Sequence, residues 1–350
     1  MPESMERTEY MEQKRTMLPW RLLSKYRAPL MGIAMIGVYL THYKKAFSVN
    51  RVTPVPWIVN QLRYGSSGVD IFLILSGLGL CYSFAKDSSL LHFYRKRLVR
   101  LLPAYLITQA LYYIMLLVKT GHVDNKQFFR KMFFIDFFAK GDASFWFIIA
   151  ILFCYLIFPL VYKMMELTKI HVLNLVICAV LYVFLHMLLW RYDRTLYLNT
   201  IALVQRIPAF VFGVWIGREC LDDRKFHVII IPLFWAFTAV VLFRSKIPFF
   251  PKLGFSLYDF SLTLVGMSLI FLFVLLFEWL QNAGWMKQCI RFLSFLGGIT
   301  LECYLMHSLL KWWFFSPVEP LAYLVTCCII PTIAAWILHK ICLPIVRKLS

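Results

Sequence analysis

Six ionisable side chains interrupt otherwise apolar runs of this sequence: His42, Asp70, His186, Arg206, Glu302 and His307. Such a group costs a few kcal/mol or more to place in hydrocarbon, so each is a candidate for binding or proton chemistry by default. His186, in YVFLHMLLW, has no polar sequence neighbour and reads as a packed or interfacial histidine. Arg206, opening RIPAF, and Glu302, in TLECYLMH, fit either a structural ion pair between spans or contacts to a substrate. A second cluster is basic: HFYRKRLVRLLP holds Arg95, Arg97 and Arg100 at the start of an apolar run. Arg97 and Arg100 are three apart and share a helix face, whereas Arg95 needs a bend or loop to join them. Converging guanidinium forks suit phosphate, which they grip bidentately; ordinary loop charge is the alternative.

The elements that must position these groups are membrane helices. The chain has 350 residues, 61% of them hydrophobic and 16% charged, with 32 Phe. Its repeated apolar runs are long enough to cross roughly 30 Å of hydrocarbon. They predict an all-α, polytopic integral membrane protein of about ten transmembrane helices, near 29–47, 67–86, 98–119, 143–162, 170–190, 198–218, 226–244, 256–281, 292–315 and 318–342. The stretch 122–140, which alternates charge with Phe, reads as an interfacial helix or re-entrant segment. No repeat of solenoid period is present. Residues 1–27 form a polar, basic segment without the features of a cleaved signal peptide, and 28–345 a single transmembrane domain.

The net charge of +19 resides mainly in short loops, which points to the membrane surface and topology rather than to nucleic acid. An even number of spans puts both termini on one side, and the larger share of Lys and Arg makes that side cytoplasmic. The nine Cys show no paired or C-x-x-C spacing and lie mostly in apolar runs, so neither a disulfide framework nor a metal site is expected. One stretch asks a specific question. GVDIFLILSGLGLCY carries Asp70 near its start and a Ser76-Gly77 step at its middle.

Several stretches, in order, resemble the membrane acyltransferase-3 family, whose members acylate sugars and other envelope or secreted molecules. LMGIAMIGVYLTHY resembles the first-span motif that ends in the family's essential histidine, here His42. GSSGVDIFLILSGLGL resembles the second-span signature, and FYRKRLVRLLPAYL the arginine-rich start of the third span. FWFIIAILFCYLIFPL, RIPAFVFGVWIG and GGITLECYLMHSLL resemble later spans, so the likeness runs from about residue 25 to the C-terminus. One position departs: Met31 stands where the family usually has an arginine eleven residues before the histidine, and Arg27 is the nearest arginine, one helical turn earlier.

The resemblance implies an enzyme of the bacterial plasma membrane that moves an acyl group, acetyl being expected, from acyl-CoA to a hydroxyl of a carbohydrate, envelope glycan or glycolipid. In that chemistry His42 is the general base and Asp70 fixes its tautomer or steadies the imidazolium. Arg95, Arg97, Arg100 and Arg27 hold the donor's phosphates at the cytoplasmic side. Ser76, Trp146, Arg206, Glu302, Tyr304 and His307 line the cavity, and Ser76-Gly77 equally fits plain small-residue helix contact. Acyl-CoA is then a substrate, with no permanently bound cofactor and no metal. A transporter or flippase for a lipid-linked sugar is the alternative; it too needs intramembrane Arg, Glu and His, but the matching broken halves common in transporters are not seen.

Overall fold

The computed structural model describes residues 16–50, 61–244, 257–313 and 325–349. Residues 1–15 of the expected basic segment, and residues 314–324 where the ninth expected span ends and the tenth begins, lie outside the described residues.

A short strand, β1 (Met17–Pro19), leads into α1 (Arg21–Lys25) and α2 (Arg27–Asn50). After a 3₁₀ turn come α3 (Ser67–Lys86) and the long α4 (Leu90–Thr120), capped by the Ser89 side chain and ended by Gly121 at φ 70°. The Phe-rich stretch becomes two short helices, α5 (Asn125–Met132) and α6 (Ile135–Lys140). Then follow α7 (Trp146–Met164), α8 (His171–Tyr192), α9 (Arg194–Val204) and α10 (Ile207–Leu221). Strand β2 (Lys225–His227) pairs antiparallel with β1, a small exception to the all-helical expectation. α11 (Ile230–Arg244), α12 (Leu257–Leu280), α13 (Gly284–Gly298), α14 (Thr300–Trp313) and, after a π turn, α15 (Ile330–Leu349) complete the described chain.

Among the described residues, α3, α4, α7, α8, α12 and α15 are long and apolar enough to cross a membrane. The pairs α9–α10 and α13–α14, bent by 41° and 66°, raise the count to eight if each is one span. The expectation of about ten is therefore not confirmed. α11 falls short of the roughly 20 residues a span needs, and α2 carries Arg27, Lys44 and Lys45 in its length. The α9–α10 break falls at Gln205 and Arg206, just before Pro208, which has no N–H to give a continuing helix.

α3 is the central helix, buried along most of its length. Gly77 explains how its neighbour comes so close: a Cβ there would stand 2.6 Å from the Phe210 carbonyl oxygen, and one on Gly213 would stand 2.1 Å from that of Ile74. Without side chains at these points the α3 and α10 backbones touch, the close approach that small residues permit between membrane helices. α8 is the opposite case, with Val172, Val176, Val180 and Phe184 all turned outward. The β1–β2 pair and a bond from Arg95 Nη2 to the Leu349 carbonyl (3.1 Å) gather both described ends of the chain at one end of the helices.

Candidate functional site

Two chambers lie one above the other, and α2, α4, α7 and α14 line both. The first, about 120 Å³, opens at the end where α2 and α4 begin. Arg97 and Arg100 reach it from one face of α4, as their spacing requires in an unbroken helix. Arg27 reaches it from α2, its Nε donating to the Leu75 carbonyl (3.0 Å), and its guanidinium lies over Gly79. A Cβ on Gly79 would stand 2.4 Å from the Arg27 Cζ, so this guanidinium seat exists only because residue 79 has no side chain. Ser76 and Tyr155 add hydroxyls to the wall. Among the described lining residues no carboxylate answers the three guanidiniums, and Arg97 Nε is buried without a hydrogen-bond partner. Such uncompensated convergent charge is a preorganised seat for a polyanion.

The second chamber, about 460 Å³, holds His42, Trp146, Tyr304 and His307. His42 lies fifteen residues along α2 from Arg27, about 22 Å at the helical rise. Its ring faces that of His307, with centroids 4.9 Å apart and planes tilted by 37°. His307 Nδ1 is 2.7 Å from the Cys327 carbonyl. A carbonyl can only accept, so Nδ1 carries the proton and the neutral ring keeps its lone pair on Nε2. At the rim, the Asp142 carboxylate meets Lys131 Nζ at 2.9 Å and accepts from the Ser144 N–H at 2.9 Å. Burial pushes the Asp142 pKa up, but the hydrogen bonds from Ser144 and Lys131 outweigh it and hold the group below its ordinary value. Phe145, which precedes α7, adopts φ 55°, a left-handed conformation uncommon for a bulky residue and held here at the chamber wall.

Other expected site residues lie elsewhere. Asp70 is fully buried in α3, but its carboxylate is taken by Arg206 and by the Thr263 hydroxyl (2.8 Å), rather than orienting His42 as expected. The pairing tethers α3 to the α9–α10 break and to α12. Glu302 does not pair with Arg206; its Oε1 is 2.8 Å from His339 Nδ1 on α15. Neither Arg206 nor Glu302 lines the two chambers. Arg95, two residues before Arg97 on a continuous helix, points away from both and binds the Leu349 carbonyl. The bend that would have joined it to the cluster does not occur, because α4 is helical from Leu90. His186 is buried against the rings of Tyr182 and Tyr197, in keeping with the packed reading.

Sequence reasoning passed over Gly79, Tyr155, Phe147 and Thr263. Gly79 had a visible signal, a second small residue in SGLG on the face one turn from Ser76. Thr263 had none, being one of several hydroxyls in an apolar helix. Among the described residues no three or more His, Cys, Asp or Glu side chains are grouped to hold a metal ion, and the nine cysteines are free thiols.

No curated protein and no solved structure matches this chain. A sequence model of an acyltransferase domain, that of the acyltransferase-3 family, matches residues 30–340 and so takes in the lining residues of both chambers apart from Arg27. The chain belongs to the acyltransferase-3 family of membrane acyltransferases.

Proposed function

We propose that the protein transfers an acyl group, acetyl in the first instance, from acyl-CoA in the arginine chamber to a hydroxyl in the histidine chamber. The acceptor is a carbohydrate or envelope glycan, and the setting is the plasma membrane of a bacterium. The observation that carries this reading is the stacking itself: a chamber with three guanidiniums, and no carboxylate among its described lining residues, lies below a chamber with two imidazoles. Coenzyme A matches that polarity, with phosphates at one end and the reactive thioester at the end of a slender arm. Because acyl-CoA is cytoplasmic, the arginine end and both ends of the chain belong on the cytoplasmic side.

His42 is the general base. It takes the acceptor's hydroxyl proton as that oxygen attacks the thioester carbonyl; the carbon–sulfur bond then breaks and the thiolate recovers the proton from the imidazolium. One ester forms and one free coenzyme A thiol leaves. General-base catalysis of this kind contributes about 10²–10⁴-fold. His307 supports it as a neighbouring imidazole whose Nδ1 is held by a carbonyl, a role first expected of Asp70. Asp70 and Arg206 serve instead to hold three helices in place around the chambers.

Mass spectrometry of envelope glycans from cells with and without the protein tests this reading. The expected result is one glycan heavier by a single acetyl mass in cells with the protein, and unmodified in cells carrying His42→Ala at equal protein level. Identical glycans in all three would overturn it.

A further inference from the structure

We propose that Phe147, pinned by Tyr304, is the partition between the two chambers and limits the transferred acyl group to short chains. The proposal rests on the donor reading of the arginine chamber. The changeover between chambers falls at one level: Phe147 lines the arginine chamber, its neighbour Trp146 lines the histidine chamber, and so does Tyr304. At that level the Phe147 and Tyr304 rings lie 5.2 Å apart between centroids, and the Phe72 ring lies 6.0 Å from that of Phe147.

The backbone explains why this wall stays where it is. α7 starts abruptly after the left-handed Phe145, and first-turn N–H groups have no partner within their own helix. The Phe147 N–H donates instead to the Tyr304 hydroxyl at 3.1 Å. That bond fixes the start of α7 against α14, so only the Phe147 side chain is free to yield. A slender pantetheine arm needs little clearance beside one ring. An acyl chain is different, because its carbonyl must reach His42 and the chain must then occupy acceptor space or fold back against the partition. The Phe147 ring fills the space needed for folding back.

Removing the ring therefore makes room for methylenes, each favouring a longer donor by about fourfold when it is buried. The test uses purified detergent-held protein with acetyl-, butyryl- or octanoyl-CoA and a host envelope-glycan extract, reading adduct masses. Wild type is expected to use acetyl-CoA at least 100-fold better than octanoyl-CoA. Phe147→Ala is expected to narrow that ratio at least tenfold, with Phe147→Leu between the two and serving if the alanine variant fails to fold. Equal use of acetyl and octanoyl donors by wild type, or an unchanged ratio in the folded variants, would overturn the partition while leaving the donor reading intact. No transfer by wild type from any of the three donors would overturn both.

Discussion

The two chambers are built differently. The arginine chamber is made from helices pressed backbone to backbone: Arg27 fits because Gly79 has no side chain, and a Cβ on Gly297 would stand 1.9 Å from the Ala28 carbonyl oxygen. The histidine chamber adds to its helical walls the turn before α7, with Phe145 in a left-handed conformation and an Asp142–Lys131 pair at its rim. One is narrow and the other nearly four times larger, about 120 against 460 Å³. A rigid, charged, narrow seat suits a donor that never changes. A wider space bounded by turns suits an acceptor, because turn residues alter more readily than the contact surfaces of packed helices. On the proposed reading the first chamber sets the donor, and the second sets the acceptor and holds the base.

The sharpest break between them comes from removing the base. His42→Ala should lower acyl transfer by about 10²–10⁴-fold with donor affinity unchanged. Radiolabel followed from acetyl-CoA into glycan measures it, and transfer within threefold of wild type would move the base to His307. The Asp70–Arg206 pair should behave differently from both chambers. Asp70→Asn or Arg206→Leu leaves a buried polar group without its partner, so the expected loss is about 3–5 kcal/mol of stability, seen as poor yield and a lower melting temperature in detergent.

Charge reversal in the donor seat comes next. Arg97→Glu and Arg100→Glu should each raise KM for acyl-CoA about 10- to 100-fold, the range expected for a lost charge-assisted contact, with KM for the acceptor unaltered. Arg95→Glu is the internal comparison and should stay within threefold, because that side chain faces the Leu349 carbonyl. Equal effects at Arg95 and Arg97 would return the whole cluster to a topology-setting role. A smaller effect is expected of Gly79→Ala, which displaces the Arg27 guanidinium: KM for acyl-CoA should rise about 3- to 10-fold, the loss of part of one such contact.

The smallest effect concerns the rim. The folded state holds Asp142 ionised to lower pH than the unfolded chain does. Its contribution is therefore complete above the ordinary carboxylate range near pH 4 and is lost as pH falls through its lower folded value. For a partly exposed pair this amounts to about 1 kcal/mol or less. The melting-temperature gap between wild type and Asp142→Asn should be present at pH 7 and shrink below pH 4; a gap that widens on acidification would contradict the assignment.

Much of this was legible from residue spacing. Arg97 and Arg100 share a face because α4 is an unbroken helix, and the same regularity turns Arg95 away. His42, which the structure places in the larger chamber, was marked as a candidate by its motif and by its cost in an apolar run. The partners of the buried charges were not. Asp70 and Arg206 are 136 residues apart, and which guanidinium meets which carboxylate depends on how α10 and α12 settle around α3. Glu302 shows the same limit, since its face on α14 turns toward His339 rather than into either chamber. The expected count of about ten spans is not confirmed, because α11 has only 15 residues, α2 carries charges along its length, and two expected spans are bent pairs.

The division of labour between the chambers is tested most directly by equilibrium binding of labelled acetyl-CoA to purified wild type, His42→Ala and Arg97→Glu, with transfer assayed on the same samples. The expected result is wild-type binding without transfer in His42→Ala, and binding weakened at least tenfold in folded Arg97→Glu. Wild-type affinity in Arg97→Glu, or loss of binding in folded His42→Ala, would contradict the separation of donor seat from proton chemistry.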